Sequence, residues 1–590
     1  MATLLRRLPA TYPSINRSCK RTFFRFWSPD VPAKPEVEEL FKCDKLKFVY
    51  DSEAHMKLRE LKFDVEKLKN LAAKVSGSEK CSHIKVLAEG TFNRVFSLTM
   101  DDGKQEILVK MPFPHAGPQK LLTNSEVATM DFVRTRFKAP VPKVLAWDSS
   151  PYNEIGNEYI IMEKLPGQHL KAMRAFMDGT EHFVKDIAKL STDMASIPFS
   201  QFGNIFFKDD VDPSLRDRPL YAPGVPEDEF SERFRIGPSV KRQFYNDGRA
   251  NLQIDRGPWK DVYPYMKAHA KCEIAWINRY AGKTLSVKSE QYVGPVKTTP
   301  KQHVIFIEKW LSILPALIPL PSTLSHVKHR KEPHLLDLNK PTLMHTDLES
   351  SNILVTDDLK MSLCGLLDFQ AVSIRPAFEA RLPCMLPLHP DPFKELKDLD
   401  ANPSQIPKDG ANEVFIKQST TFLRHLYQNH PALHAASMLE YTRHLAKSTG
   451  SDTWSTWQSG LSTFYSSVRY LVDAYKSGAI PRHPKYPKLA IALRTDEVEL
   501  MQTEEKALSL MRRFREITDK QFAGIGLDPL EGAGVYPEDY ELVMGTLDAV
   551  LKGILEAAPP QRGPAIRRQV WPYRDGHMAN YPEITTCRPV

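Results

Sequence analysis

The chain has 590 residues, 42% apolar and 26% charged, with 80 Lys and Arg against 72 Asp and Glu. That balance is ordinary for globular domains and excludes a mainly disordered chain, a collagen or a small disulfide scaffold. No run approaches the ~20 consecutive apolar residues of a bilayer span; the best, Trp310 to Leu320, is broken by Pro315 and Pro319, so no transmembrane segment is expected. The seven cysteines are odd in number, scattered and without a CxxC pair, which fits a reducing compartment rather than a disulfide framework.

The positive charge is concentrated at the start. Residues 1–27 hold Arg6, Arg7, Arg17, Lys20, Arg21 and Arg25, no acid, and hydroxyls at Thr3, Thr11, Ser14, Ser18 and Thr22. This is the composition of a mitochondrial transit peptide. Mitochondrial residence is expected, with the mitochondrial import machinery as a partner. The remaining 74 basic and 72 acidic residues leave a nearly neutral body, so no nucleic-acid partner is expected.

Residues 28–79 read as a helical lead-in. Strand patterns follow at His83–Ala88, Arg94–Met100 and Glu106–Met111, with Asp101-Asp102-Gly103 as a hairpin turn. A helix is expected over Leu121–Arg136, with Val127, Met130 and Val133 on one side, then strands at Val141–Trp147 and Glu158–Met162. Residues 80–163 are thus a small sheet with one crossing helix. From 164 to 558 the chain reads as mostly helical, with helices at Glu181–Ser196, Trp259–Tyr280, Val304–Leu317, 411–428, 432–447, 454–476, 495–516 and 538–557. Residues 200–256 read as irregular and Pro341–Asp368 as strand–loop–strand. Residues 559–590 read as a Pro- and Arg-rich tail.

The chemistry is concentrated in His345-Thr-Asp347-Leu-Glu-Ser-Ser-Asn352-Ile-Leu-Val355, an Asp and an Asn five apart in a loop that enters an apolar strand. Sixteen residues after Asn352, a second apolar strand ends at Asp368-Phe369. Two such strands form a hairpin that brings Asp347, Asn352 and Asp368 together. Phosphoryl transfer to a hydroxyl needs this set: Asp347 as proton acceptor, Asn352 and Asp368 as oxygen ligands of Mg²⁺. The N-terminal sheet carries the matching nucleotide features. Gly90 permits close backbone approach to a phosphate, and Asn93 either contacts that phosphate or braces the turn. Lys110 lies inside an apolar strand, where a charge needs a partner; Glu126 on the following helix is that partner. Backbone groups from Glu163 to Leu165 would meet the adenine edge of ATP, with Met162 behind it.

In these motifs the chain resembles the protein-kinase-like superfamily, and within it the aminoglycoside phosphotransferase and choline-kinase type. The single-glycine loop with Asn93, the His345-x-Asp347 opening and Asp368-Phe-Gln370 are closer to that branch than to protein kinases, which carry three glycines, HRD and DFG. Lys110-Met-Pro, Arg256-Gly-Pro-Trp259 and the His345–Asn352 motif further resemble a fungal mitochondrial group within it. The resemblance implies an α+β, two-lobed protein-kinase-like fold: a small N-terminal antiparallel sheet with one helix, and a large, mainly helical C-terminal lobe. It implies ATP and Mg²⁺ as cofactors, Lys110 on the nucleotide phosphates and held by Glu126, Asp347 as catalytic base, Asn352 and Asp368 on the metal, and a small-molecule hydroxyl acceptor. A non-catalytic, nucleotide-binding kinase fold that works through a partner is the alternative.

The 184 residues from Glu163 to Asp347 exceed what a kinase lobe needs, so residues 198–300 read as an insertion. Its aromatics, Phe202, Phe206, Phe207, Tyr221, Phe230, Phe234, Tyr245 and Trp259, line an acceptor pocket or form the insertion's own core. His326, His329 and His334 lie among Lys and Arg that repel a cation, and read as a solvated loop.

Overall fold

The computed structural model describes residues 37–573 apart from 43–45, 171–180, 282–297, 324–334, 359, 384–385, 387–409, 455, 490, 492–493, 528–533, 564–565 and 567–569. The basic segment 1–27, the three histidines at 326, 329 and 334, and the end of the tail lie outside the described residues.

The lead-in forms strand β1 (Lys47–Phe48) and helices α1 (Ser52–Leu58) and α2 (Val65–Ser76). Helix α2 starts where the Asp64 carboxylate accepts from the Lys67 N–H, and stops at Gly77, whose left-handed φ of 73° lets the Ser78 N–H reach the Ala73 carbonyl. Next come β2 (Cys81–Glu89), β3 (Asn93–Met100), β4 (Gln105–Pro112), α3 (Leu121–Phe137), β5 (Val144–Asp148) and β6 (Tyr159–Glu163). The five strands form one antiparallel sheet in the order β2-β3-β4-β6-β5, and each expected element of this region is present.

Strand periodicity sets which face Lys110 occupies. Ile107, Val109 and Met111 pack against Leu61, Phe63, Leu68 and Ala72 of the lead-in. Leu108 packs on the opposite side, in the cluster that contains Met130, Phe132 and Val133 of α3. Lys110 shares the face of Leu108. A one-residue slip would turn Ile107, Val109 and Met111 out of their cluster, at roughly 1.5–3 kcal/mol per side chain, so hydrophobic packing fixes the lysine's aim.

Helix α3 departs from the one-sided burial expected of it. Every residue from Leu122 to Met130 is buried, Thr123, Asn124 and Glu126 included. The cause is a second layer on its far side: Leu122 packs with Phe206, Val211, Leu215 and Val240.

The second lobe contains β7 (Gln168–His169), α4 (Glu181–Ala195), β8 (Asn204–Phe207), α5 (Glu229–Arg233), β9 (Phe234–Gly237), α6 (Val262–Tyr280) and α7 (Pro300–Leu317). Residues 200–256 are therefore not wholly irregular, because β8 and β9 pair antiparallel. Phe202, Phe206, Tyr221, Phe230, Phe234, Tyr245 and Trp259 are all buried, and Phe207 stacks on Trp147 at 5.7 Å. These aromatics are core.

Then follow β10 (Ser322–Thr323), β11 (Leu335–Leu336), β12 (Pro341–Met344), β13 (Ile353–Val355), β14 (Leu363–Leu366) and β15 (Ser373–Pro376). The chain continues with α8 (Gly410–Asn429), α9 (Pro431–Met438), α10 (Glu440–Thr449), α11 (Thr456–Ser459), α12 (Ser462–Ser477), α13 (Thr495–Gly524), β16 (Gly534–Val535) and α14 (Tyr540–Ala557). Two expected helices are each split. The 432–447 helix breaks at Leu439, where the Thr442 hydroxyl donates to the Ala436 and Leu439 carbonyls. The 454–476 helix breaks at Gly460, where buried Glu504 accepts the Leu461 and Ser462 N–H groups at 2.7 Å each. Both breaks are closed by polar groups that pattern alone does not reveal.

Gly167 joins the lobes. Its φ is +106°, and a Cβ there would lie 2.3 Å from Cys364 Sγ and 2.7 Å from the Val355 carbonyl oxygen. Gly167→Ala is therefore expected to destabilise the protein by roughly 2–4 kcal/mol through strain and overpacking. Urea melts of the purified variant check this; an unchanged midpoint would contradict the packing at this joint.

Candidate active site between the lobes

The catalytic-type loop is held between two strand pairs. β12 pairs with β15, Met344 opposite Ser373. β13 pairs with β14, Ile353 opposite Leu366, and on its other edge with β7, Leu354 opposite His169. His345–Asn352 spans the gap from β12 to β13, and Asp368 follows β14. The hairpin thus brings Asp347, Asn352 and Asp368 into one place.

Inside the loop, Asn352 Nδ2 donates to the Asp347 carboxylate Oδ2 and to its main-chain carbonyl, both at 3.0 Å. The Asp347 N–H donates to His345 Nδ1 at 3.3 Å, and His345 Nε2 lies 3.1 Å from the Leu367 carbonyl. One nitrogen must accept and the other donate, so His345 is neutral with its proton on Nε2. Burial pulls its pKa down to about 4. It ties the base of the Asp347 loop to the residue before Asp368.

Lys110 crosses from the sheet to both carboxylates. Its Nζ lies 2.6 Å from Glu126 Oε1 and 2.8 Å from Asp368 Oδ1. Lys110 and Glu126 are almost wholly buried, and Asp368 is one-third exposed at its side chain. Burial alone would lower the Lys110 pKa; the charges of Asp368 and Glu126 outweigh it and raise it. Burial raises the Glu126 carboxyl, which Lys110 only partly offsets. Burial would also raise Asp368, but Lys110 holds it below the usual range. Asp347 is pushed up to about 6, by burial first and then by the charges of Glu349 and Asp368. One lysine thus faces Glu126 and Asp368, with the Asp347 carboxyl in the field of Asp368, and the surplus is negative.

That surplus suits a divalent cation. Asp368 offers Oδ2 beyond its lysine bond, and Asn352, bonding through Nδ2, leaves Oδ1. Two hard oxygen donors fit Mg²⁺, which completes its shell with phosphates and water. Among the described residues no three His, Cys, Asp or Glu side chains gather as a metal cage, so the donors present suit a metal carried in with a nucleotide.

The glycine loop closes the site from above. The Gly90 N–H donates to the Asn93 carbonyl at 2.9 Å. A Cβ on Gly90 would meet only that oxygen, at 3.7 Å; the fold itself would accept alanine there. The Asn93 amide reaches across the cleft instead of bracing its own turn: Nδ2 donates to Gln370 Oε1 at 2.6 Å. At the hinge, the Glu163 N–H is taken by the Lys143 carbonyl, and its carboxylate by Arg134 and the Lys143 N–H. Leu165 follows at the exit of β6, half-buried.

Several residues that shape the site were not singled out from the sequence. Glu89 and Arg94 flank the loop as a wholly buried ion pair at 3.0 Å. Arg59 and His115 both reach the Thr91 carbonyl. Charged residues bracketing Gly90 inside apolar strands were the one available signal for Glu89 and Arg94; Arg59 and His115 gave none. A recess of about 500 Å³, lined by Leu121, Phe206, Asp210, Asp255 and Pro258 among others, lies away from these groups. No member of the Lys110–Asp368 cluster lines it.

Residues 83–245 match the model of the phosphotransferase enzyme family. Among similar proteins, a subtelomeric hrmA-associated cluster protein of Aspergillus fumigatus is 29% identical over 331 residues, covering 50% of this chain and 59% of that one. Altered inheritance of mitochondria protein 9, mitochondrial, from Candida tropicalis is 29% identical over 313 residues, covering 49% and 47%. Its Yarrowia lipolytica counterpart is 26% identical over 368 residues, covering 58% and 60%. The chain therefore spans about half to three-fifths of the length of these relatives. Among solved structures, aminoglycoside phosphotransferase APH(4)-Ia with AMP-PNP and hygromycin B aligns at 12% identity and TM-score 0.31, covering 69% of this chain and 95% of that one. Plasmodium vivax ethanolamine kinase aligns at 12% identity and TM-score 0.30, covering 68% and 82%.

Proposed function

We propose that this chain, whose residues 83–245 match the phosphotransferase enzyme family, is an ATP- and Mg²⁺-dependent phosphotransferase. It moves the γ-phosphoryl group to a hydroxyl of a small molecule, inside mitochondria. The single observation that carries this reading is the convergence of Lys110, Glu126 and Asp368 with the Asp347–Asn352 pair at one end of the cleft.

Bound Mg·ATP supplies the electrophilic phosphorus and the charge that offsets the site's negative surplus. The rest is the work of this chain. Lys110, anchored by Glu126, is positioned for the nucleotide phosphates. Asp347 takes the hydroxyl proton as the acceptor oxygen bonds to phosphorus and the bond to the ADP oxygen breaks. Asn352 aims that carboxylate through Nδ2, and Asn352 Oδ1 and Asp368 would hold the metal. The dispensability of Gly90 to the fold supports a ligand's backbone approach at the loop. The composition of residues 1–27 and the mitochondrial names of the relatives support the location.

The test is thermal melting of the protein with and without ATP and Mg²⁺, beside Asp368→Asn. A ligand bound only by the folded state stabilises it by about 2.7 kcal/mol at a hundred times its Kd. The expected result is a Mg²⁺-dependent rise that the variant loses. No rise with any combination would sink the nucleotide site and favour a non-catalytic fold that acts through a partner.

A further inference from the structure

A second charged cluster, of opposite sign, connects the glycine-loop tip with the strand pair that leads into the Asp347 loop. The segment Lys241-Arg242 spans two functional elements. Arg242 sits over the Phe92 ring at the tip of the glycine loop, 5.1 Å from its centroid, and its Nε donates to the His115 carbonyl. Lys241 turns the other way. Its Nζ donates to the Tyr265 hydroxyl at 2.5 Å and lies 3.6 Å from Glu379. The Tyr265 hydroxyl donates to Glu379 at 2.6 Å, and Arg375 lies 3.7 Å from the same carboxylate. Arg375 also donates to Ser373 Oγ at 2.6 Å, and Ser373 stands opposite Met344, three residues before Asp347. The cluster is therefore strung between the glycine-loop tip and the catalytic-type loop, where an acceptor must enter.

Its charges do not balance. Lys241 and Arg375 converge on one carboxylate, and Arg381 adds a third positive charge to the field at Glu379. Burial, and then the Arg375 charge, holds Lys241 down to about 7 despite Glu379. Beside them His269, 2% exposed, has no hydrogen-bond partner at either ring nitrogen; its ring is 5.0 Å from that of Tyr265. The Lys241 and Arg375 side chains keep 11% and 18% of their surface accessible. A buried positive surplus with an unsatisfied polar neighbour is stabilised by an oxyanion.

We propose that the acceptor of the phosphotransferase reaction carries a phosphate or carboxylate group, and that Lys241 and Arg375 bind it. This rests on the phosphotransferase reading and adds the acceptor's class. The anion docks against the two cations, and the hydroxyl of the same molecule is left for Asp347.

The test uses the full chain with inorganic phosphate as probe, by thermal melting with and without saturating Mg·ADP, in wild type, Arg375→Gln and Lys241→Arg. Phosphate is expected to raise the melting temperature beyond the Mg·ADP effect. Its half-saturating concentration should rise at least tenfold in R375Q and change little in K241R, which keeps the charge. In parallel, ATP-dependent ADP release is measured with glycerol 3-phosphate, glycerate, glycerol and choline as probe acceptors, with turnover expected only from the anionic pair. An equal phosphate response in wild type and R375Q overturns the proposal, as does turnover of glycerol or choline while both anions stay inert. An Arg375-dependent phosphate response with no Mg·ADP response supports the anion site and overturns the phosphotransferase reading instead. If R375Q does not fold, the acceptor panel on wild type still decides the acceptor's charge.

Discussion

Asp347→Asn is expected to lower the rate of phosphoryl transfer by about 10²- to 10⁴-fold, the range that a positioned general base contributes, while leaving Mg·ATP affinity within a few-fold. The reason is positional. Asp347 makes no ion pair with Lys110; its partners are Asn352, Glu349 and the His345 ring. Single-turnover transfer with an identified acceptor, and nucleotide titration of the same preparation, check the two halves. Loss of nucleotide binding in D347N would contradict the division of labour. The same substitution has a stability signature. Burial and the Glu349 and Asp368 charges raise the Asp347 carboxyl from an ordinary 3.8 to about 6. The folded protein then holds this proton more tightly than the unfolded chain. Stability falls as pH rises from about 4 to about 6, and the loss persists above it. Asparagine carries no such penalty, so D347N should melt no lower than wild type at pH 8, with that advantage gone below pH 4. In wild type, kcat/KM should rise through pH 6 as the base ionises.

Lys110→Met is expected to have the largest effect on stability. It leaves Glu126 and Asp368 without their shared cation, and breaking a buried ion pair from one side costs about 3–5 kcal/mol. The loss should shrink in acid. Lys110 holds the Asp368 carboxyl below its ordinary range, so this pairing contributes stability above that range and loses it as pH falls through the folded value. In the variant both carboxylates titrate higher, Glu126 first, since burial already raises it. Urea melts at pH 7.5 and 5.0 should therefore show a smaller gap between K110M and wild type at the lower pH. A gap independent of pH would mean that lost packing of the lysine stem, not the uncompensated carboxylates, is responsible. Nucleotide affinity should fall with it at either pH.

Local pattern was enough for the succession of strands and helix in residues 80–163, because period-two burial in Ile107–Met111 and the turn at Asp101–Gly103 are local; the crossed order β2-β3-β4-β6-β5 was not legible there. Local pattern was also enough for the His345–Asn352 loop and the Asp368 strand end for the same reason: one hairpin, with sixteen residues from Asn352 to Asp368, forces them together. The Lys110–Glu126 pair was legible because a lysine in an apolar strand demands a partner, and the next helix offers one.

Features that depend on contacts distant in sequence were not legible in this way. Nothing local tells that Lys47–Phe48 pairs with Gly534–Val535, or that Val49 is buried with Phe514 and Trp571. The Asn93–Gln370 bridge spans 277 positions. The Glu504 carboxylate that breaks a helix at Gly460 lies more than forty residues downstream of the break. Lys241, read from its neighbours in the chain, is one of 80 basic residues. It becomes distinctive only when folding places Arg375, Tyr265 and Glu379 around it. Periodicity reports which face of an element is apolar; it carries no information on which distant polar group will meet that face, and the electrostatics of a buried charge are set by those meetings.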